Sequence, residues 1–354
     1  MDVNLQPEFC TFGEQSDGVE QFAPPFGSEE ANLFVYNRWV ELTQAKHRSR
    51  WENIRSFEDD EFGFFDLNKP FFRIRDNGAF MEDAVVELAG SFIIPESFDS
   101  LSEGVSNLLQ REDVRRHREN DGTIAFVDIF HKSYAGIALA TAAAARVDLE
   151  IARNQTIFIS RQVPLYEIFG KKIVDDGVLR VSNVMQTFPD SVSGKDQAFS
   201  PYRAHANLLV MRQYVSLLGQ PQQILWLAPS GTEAMYSPKT SILTAGRVSP
   251  ASAKLLYGFN KLDKAGQPRH GRDRVMTIPV SLDCNPFGTD GLPVARDITF
   301  AFGEGEILRT EEAVHNMMKK GVALTNCIKK ADTPEVAYED ADAYVDRLSL
   351  AVLQ

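Results

Sequence analysis

The chain has 354 residues, of which 44% are hydrophobic and 24% charged, and its formal net charge is −12. This length allows one large domain, alone or with a smaller appendage. The acidic balance disfavours a protein that coats nucleic acid such as DNA or adsorbs to anionic membranes, although it is compatible with a local basic patch.

Features that would point to export, a membrane or a metal are missing from the sequence. No apolar run approaches the roughly 20 residues that span a bilayer. The first twenty residues lack the basic flank and apolar core of a secretory signal. The cysteines, Cys10, Cys284 and Cys327, are far apart and form neither metal-ligand spacing nor a disulfide framework. We therefore expect a cytoplasmic protein without a metal ion or cofactor.

The N-terminal part is predicted to form an irregular arm and then a helical domain. Residues 1–29 are rich in Gly, Pro and acidic residues and show little periodicity, which predicts the arm. Apolar periodicity predicts helices at 30–55, 79–91 and 100–120. Two basic groups lie on the first and last of these helices: Lys46, Arg48 and Arg50, and Arg115, Arg116 and Arg118. We interpret them as docking patches for an acidic partner, and solvated helix ends are the alternative.

From residue 123, apolar runs typical of strands alternate with helical runs. Strands are predicted at 124–130, 156–160, 178–184, 224–228, 275–280 and 297–301, and helices after His131 and at 165–169, 201–218, 251–259, 311–318 and 335–353. This alternation predicts an α/β fold with a mostly parallel sheet. The sequence therefore predicts a helical N-terminal domain at 30–120, followed by a larger α/β domain at 121–354.

Common nucleotide-binding and hydrolase motifs have no counterpart in the chain. There is no Gly-x-Gly-x-x-Gly after a predicted strand, no Walker loop and no Gly-x-Ser-x-Gly elbow. Two other stretches place reactive residues at the ends of predicted strands. His131-Lys-Ser-Tyr-Ala-Gly136 follows the strand at 124–130, and Ile224-Leu-Trp-Leu-Ala-Pro-Ser-Gly231 is a strand that stops at Pro229. A histidine at such a junction is common in α/β sites, and a satisfied histidine at a strand end is the alternative.

Together these stretches resemble the glycerol-phosphate acyltransferase superfamily, and the second is similar to the soluble, plastid-type glycerol-3-phosphate acyltransferases. Family members carry Asn-His-x-Ser/Thr-x-x-Asp at the first stretch and Ile/Leu-Trp-Ile/Leu-Ala-Pro-Ser-Gly at the second. The helical region before His131 and the Thr333-Pro-Glu-Val segment extend the resemblance. It implies an α/β acyltransferase fold in which the histidine is a general base. The base takes the proton from an acceptor hydroxyl, which then attacks an acyl thioester.

The chain departs from this family pattern at the acid and at the phosphate ligands. Gly136 replaces the motif aspartate, Phe130 replaces the motif asparagine, and Glu233 stands where the family has an arginine-containing turn. A carboxylate beside a dianionic phosphate is repulsive, so glycerol 3-phosphate is a poor acceptor for this chain. The departures favour a more nucleophilic acceptor, such as an amine or hydroxylamine.

The resemblance and its departures predict a site around His131, whose imidazole another side chain must orient. Asp128 and Ser133 are assigned to the catalytic group with His131. Asp128 should face away from His131 if the strand that carries both is regular. The other orienting candidates are Ser133, Tyr134, Glu233, Asp283 and a backbone carbonyl. The predicted substrate-binding residues are Tyr134, Ser230, Gly231, Glu233 and Lys239.

The predicted reaction moves an acyl or aminoacyl group to a small hydroxyl, amine or hydroxylamine acceptor in specialised biosynthesis. The donor is an acyl carrier protein thioester, a coenzyme A thioester or an aminoacyl-tRNA. Carrier proteins and tRNA are acidic, so the six basic residues of the N-terminal domain suit either of them.

Two alternatives to this reaction stay open. A true glycerol-3-phosphate acyltransferase would need rearranged phosphate ligands, such as Lys239, Arg247 or Arg272. A non-catalytic acyl-chain or partner-binding module would explain the lost acid at Gly136. The Gly-Arg-Asp-Arg string at 271–274 lies far past the turn and is interpreted as coincidental, or otherwise as a displaced phosphate clamp.

Overall fold

The computed structural model describes about half of the chain. The described residues are 25–26, 28–35, 37–38, 71–73, 94–130, 139–140, 143–144, 146–148, 151, 154–160, 183–187, 197–218, 220–229, 235–237, 242–246, 248, 250–283, 297–328, 337–338 and 342–344. Within these ranges, no helix combines the length and apolar character that a bilayer crossing needs.

The described strands and helices follow one another along the chain as an α/β alternation. The strands are β1 (Phe71–Arg73), β2 (Thr123–Asp128), β3 (Gln155–Ser160), β4 (Asn183–Thr187), β5 (Ile224–Leu227), β6 (Met235–Ser237), β7 (Ile242–Thr244), β8 (Val275–Asp283), β9 (Thr299–Phe302) and β10 (Ala337–Tyr338). The helices are α1 (Pro95–Gln110), α2 (Glu112–Glu119), α3 (Ser200–Leu218), α4 (Pro250–Tyr257) and α5 (Glu311–Cys327). A 3-10 turn, Gly258–Asn260, follows α4, and shorter helical pieces lie within 29–38 and 139–151.

Seven of the described strands form one sheet in the order β1-β4-β3-β5-β2-β8-β9. The five inner strands are parallel, whereas β1 and β9 run antiparallel to their neighbours. Strands β2 and β5 are buried along their whole length, as expected of central strands that are covered on both faces. The predicted α/β class with a mostly parallel sheet is confirmed. The predicted boundaries at residues 29 and 120 stay predictions.

The two faces of the large sheet are covered by different side chains. On one face, Ala125 and Val127 of β2 belong to an apolar core cluster with residues of α3, α4 and α5. On the other face, the ring of Phe126 lies 4.4 Å from that of Trp226 and 6.2 Å from that of Phe302. Helix α1 lies on this aromatic face, because a Cβ on its Gly104 would fall 2.4 Å from the ring of Phe300.

The helix predicted at 100–120 is two helices that meet at Arg111. The backbone of Arg111 is extended, with φ −55° and ψ 134°. Its guanidinium donates to Asp113 Oδ1 over 2.7 Å and to Gly303 O over 3.0 Å, and the hydrogen bond from Arg111 holds the pKa of Asp113 below its usual value. The contact with Gly303 spans most of the chain, so helical periodicity could not indicate this break.

A second, three-stranded sheet in the order β10-β7-β6 was not predicted. Strand β6 is antiparallel and β10 parallel to β7. The prediction of one helix over 335–353 is wrong at β10, because Ala337 and Tyr338 pair with Ile242 and Leu243. Residues 342–344 are helical.

The other predicted elements with described residues are confirmed with shifted ends. Strand β4 begins at Asn183, five residues later than predicted, and residues 178–182 lie outside the described part. Helix α5 continues nine residues past the predicted end, to Cys327. The predicted helices at 79–91 and 165–169 also lie outside the described residues, as do residues 39–55 of the helix predicted at 30–55.

Candidate functional site

The two stretches that carry the predicted chemistry start from neighbouring parallel strands. Strand β2 pairs with β5 in register, so that Ile124 lies opposite Ile224 and Val127 opposite Leu227. Both strands therefore end at the same edge of the sheet, which we call the carboxyl edge. Ligands of α/β sheets bind at the carboxyl ends of their strands. The histidine stretch and the Pro-Ser-Gly turn both follow this edge.

Asp128 is the last residue of β2 and is 2% exposed. Side chains alternate between the two faces of a strand, so Asp128 shares the aromatic face with Phe126, opposite Ala125 and Val127. Burying a carboxylate costs free energy unless polar groups interact with it. Asp128 does take part in such an interaction. The predicted catalytic acid is thus held in the protein interior at the carboxyl edge.

The regular strand ends at Asp128, two residues before the predicted end. Ile129 and Phe130 form a bend, and both belong to the core cluster, so the alternation of faces stops there. The regular strand that the prediction assumed for Asp128 and His131 therefore does not reach His131. Ile129 lies directly against α5, because a Cβ on Gly321 would fall 1.9 Å from Ile129 Cδ1. This contact fixes the chain two residues before His131.

Asp283 lies at the same edge but on the opposite face from Asp128. Asp128 pairs with Val280, and β8 continues three residues further to Asp283, which is fully buried. Pro279 lies on the α5 face, because a Cβ on Gly321 would fall 3.5 Å from Pro279 Cβ. Alternation along β8 places Asp283 on that face as well. The two described acids that could orient a histidine, Asp128 and Asp283, therefore lie on opposite faces of the sheet.

Trp226 of β5 connects its strand to the neighbouring strand β3 through a buried hydrogen bond. Its indole Nε1 donates to Gln155 Oε1 over 2.6 Å, which connects β5 to β3. Trp226 lies in the second predicted stretch, three residues before Pro229. Gln155 was not predicted as part of the site, although a buried indole N–H requires an acceptor. This bond positions the strand from which the Pro-Ser-Gly turn begins.

Most of the predicted site residues lie outside the described residues. They are His131, Ser133, Tyr134, Ser230, Gly231, Glu233 and Lys239 of the site, and Lys46, Arg48 and Arg50 of the first docking patch. Their assignments stay predictions.

The second docking patch lies on α2, at the opposite edge of the sheet from Asp128. Helix α2 ends just before β2 begins, and His117 Nε2 lies 3.2 Å from Thr123 O. Arg115 pairs with Glu119 over 2.6 Å, Arg116 pairs with Glu112, and burial lowers the pKa of Arg118. The length of β2, about 17 Å, separates this edge from Asp128. We call it the amino edge.

Arg272 also belongs to the amino edge. Its guanidinium donates to Asn120 O over 2.6 Å and to Asp121 Oδ2 over 3.1 Å. An arginine side chain does not cover the distance from there to the carboxyl edge. Arg272 and the 271–274 string are therefore unsuited to hold a phosphate beside the Pro-Ser-Gly turn.

No protein-family model matches the chain, and no curated protein matches it significantly. The resemblance to glycerol-3-phosphate acyltransferases therefore depends on the two stretches quoted above. Their common start at the carboxyl edge is a geometric observation that is independent of the resemblance.

Proposed function

We propose that the chain is an acyltransferase of the glycerol-phosphate acyltransferase type whose acceptor has changed. The observation that carries the proposal is the register of β2 and β5, from whose neighbouring ends the histidine stretch and the Pro-Ser-Gly turn both begin. This arrangement suits a reaction in which one stretch supplies the base and the other binds acceptor or oxyanion.

In the proposed reaction, His131 takes the proton of the acceptor hydroxyl or amine as that group attacks the acyl carbonyl carbon. The tetrahedral intermediate then collapses, and the bond from the carbonyl carbon to the donor's sulfur or ester oxygen breaks. The leaving group receives the proton back from His131. Atoms and charge balance without a metal ion or a redox partner. The lost family arginines and the presence of Glu233 favour an acceptor without phosphate.

The first test is the variant His131→Ala in a donor panel followed by mass spectrometry. Acyl carrier protein thioesters, coenzyme A thioesters and charged tRNAs are each combined with amines, hydroxylamines and glycerol 3-phosphate. We expect a product with a non-phosphate acceptor and a loss of about 100-fold or more in the variant. His315→Ala, at an exposed position of α5, is the matched control.

Three results would contradict parts of this proposal. Unchanged turnover in His131→Ala would remove the base assignment. A lysophosphatidate product would return the chain to the ordinary family reaction. Tight donor binding without any transfer would favour the non-catalytic binding module.

Asp128 is proposed to position the imidazole, and the matched variants Asp128→Asn and Asp283→Asn test this role. Both remove one buried carboxylate at the carboxyl edge, but on opposite faces of the sheet. We expect Asp128→Asn to lower kcat at least about ten-fold and to shift the pH profile of kcat. A larger shift with Asp283→Asn would transfer the positioning role to the α5 face.

A further inference from the structure

The segment between the 3-10 turn and β8 concentrates positive charge on an acidic protein. We call residues 261–274 the basic loop. It contains five Lys and Arg residues and two Asp residues, a formal charge of +3, whereas the whole chain carries −12. Residues 262–267 and 269–271 of the loop are exposed. A local field of opposite sign to the net charge indicates a surface for an anionic partner.

Both carboxylates of the basic loop already have partners within the protein. Asp263 Oδ1 accepts hydrogen bonds from the backbone N–H groups of Ala265 and Gln267, over 2.8 and 2.9 Å. Asp273 pairs with Arg309 over 2.9 Å. The charge of Asp273 is therefore matched by a cation outside the loop, whereas the charge of Asp263 stays within the loop and is included in its formal charge of +3.

Most cations of the loop have no carboxylate partner. In the part of the chain that the structure describes, Arg272 pairs with Asp121, whereas Lys264, Arg269 and Arg274 form no ion pair. The arginines of α2 differ, because Arg115 and Arg116 are both paired along their own helix. The exposed unpaired positive charge of the amino edge thus lies on the basic loop, whereas the third arginine of the α2 patch, Arg118, forms no ion pair with a described residue but is partly buried.

The basic loop is held in one conformation before any partner arrives. Asp263 N donates to Gln267 O over 2.7 Å and Arg269 N to Lys261 O over 3.0 Å, which closes a reverse turn. Asn260 fixes the return of the chain to β8. Its Nδ2 donates to Val275 O over 2.7 Å, and its Oδ1 accepts from the N–H of Arg274 and of Val275. A rigid loop loses little conformational entropy on binding.

The chemistry of this surface favours RNA over an acidic protein. A protein partner would need an apolar centre to pack against, and the one large apolar side chain described as exposed in the loop is Leu262, at 38%. Binding to a phosphate backbone depends instead on unpaired Lys and Arg. Arg269 Nε donates to Leu262 O over 3.3 Å, which leaves the two Nη groups of its guanidinium for phosphate oxygens.

The distance from the basic loop to the carboxyl edge restricts the donor. The loop ends at the start of β8, whose first six residues pair along β2, so the loop lies about 17 Å from Asp128. A coenzyme A thioester at the carboxyl edge would leave the loop without a partner. A folded RNA with an acyl group on its end has the size to contact both edges.

We propose that the basic loop binds the phosphate backbone of a folded RNA, and that the acyl donor is an aminoacyl-tRNA. This inference deepens the proposed function and rests on it for the transfer step. RNA binding itself does not require that step.

The test measures binding of purified, uncharged total tRNA to the full chain by fluorescence anisotropy over about 50 to 200 mM salt. Lys264→Glu/Arg269→Glu reverses two unpaired charges of the loop. Arg212→Glu/Lys254→Glu, at exposed positions of α3 and α4, is the matched control for net charge. We expect at least ten-fold weaker binding and a salt slope smaller by about two in the loop variant alone.

Equal losses in both double variants would overturn the inference, because the effect would then follow net charge. Binding of an acidic carrier protein in place of tRNA would also overturn the inference, and so would the absence of any tRNA binding. His131-dependent transfer from a small thioester without tRNA binding would overturn the inference alone. Loop-dependent tRNA binding without transfer to any acceptor would refute the proposed function and leave the RNA-binding surface standing.

Discussion

The substitution Gly321→Ala tests how closely α5 controls the chain that leads to His131. A Cβ at this position would fall 1.9 Å from Ile129 Cδ1 and 3.0 Å from Ile129 Cγ1. No real Cβ tolerates the first distance, so Ile129 must leave its rotamer or the bend must move. Because His131 follows Ile129 by two residues, we expect the proposed acyl transfer to become slower as stability falls.

The size of the effect follows from two opposing contributions to the free energy of unfolding. Overpacking a core costs about 1–3 kcal/mol, whereas Ala in place of Gly stabilises a helix by about 1 kcal/mol. We therefore expect Gly321→Ala to destabilise the protein by roughly 0–2 kcal/mol. The substitution Ile129→Val costs about 1 kcal/mol by itself, but it deletes the Cδ1 atom that causes the clash.

Urea unfolding of a double-mutant cycle measures this coupling. We expect Gly321→Ala to lower the free energy of unfolding less in the Ile129→Val background than in the native one, by at least about 1 kcal/mol. Gly258→Ala is the matched control, since a Cβ there meets no atom within 4 Å. Equal effects of Gly321→Ala in both backgrounds would show that the contact does not constrain Ile129, and would refute the reasoning.

Further substitutions test three polar groups that are buried or partly buried. Asn260→Ala removes two donated and two accepted hydrogen bonds and should lower the free energy of unfolding by about 3 kcal/mol in urea. Gln155→Leu leaves the indole N–H of Trp226 unpaired and should cost about 1–3 kcal/mol, less than additively with Trp226→Phe. Burial lowers the pKa of His117, so the unfolded chain binds its proton more readily and stability should fall as pH drops below about 6.5. His117→Gln should reduce that slope in urea titrations between about pH 5 and 7.

Each of these expectations has a contrary outcome. A loss below about 1 kcal/mol in Asn260→Ala would mean that water replaces the amide at the base of the basic loop. Additive costs of Gln155→Leu and Trp226→Phe would show that the indole bond contributes nothing of its own. An unchanged acid slope in His117→Gln would assign the pH dependence to another group.

The central strands could be predicted from the sequence because their signal is local. Apolar runs at 124–130 and 224–228 gave the positions of β2 and β5, and the long helical pattern at 201–218 gave α3. The short strands β6, β7 and β10 carry two or three residues each, too few for periodicity to show. The separation of α1 from α2 depends on the contact of Arg111 with Gly303, which no local pattern encodes.

For the candidate site, the sequence could predict the location at the ends of strands but not which side chains lie on which face of the sheet. That β2 and β5 lie side by side, and that Asp128 and Asp283 face opposite sides, follows from strand pairing and register. Register depends on the whole sheet, so residues far apart in the sequence decide which acid lies on which face. The acceptor role of Gln155 for Trp226 has the same origin.

The inner strands end at different heights at the carboxyl edge, so the edge is lower at β2 and β5 than at the strands on either side. Relative to Asp128, β8 continues three residues further and β3 one residue further, whereas β5 stops one residue short. At this edge, the two strands from which the predicted base and the predicted binding turn begin thus end before the strands on either side of them, β3 and β8. Measured along the strand direction from the level of Asp128, β8 extends about 10 Å further and β3 about 3 Å further. Among the described residues, β8 therefore flanks the ends of β2 and β5 over a greater height than β3 does.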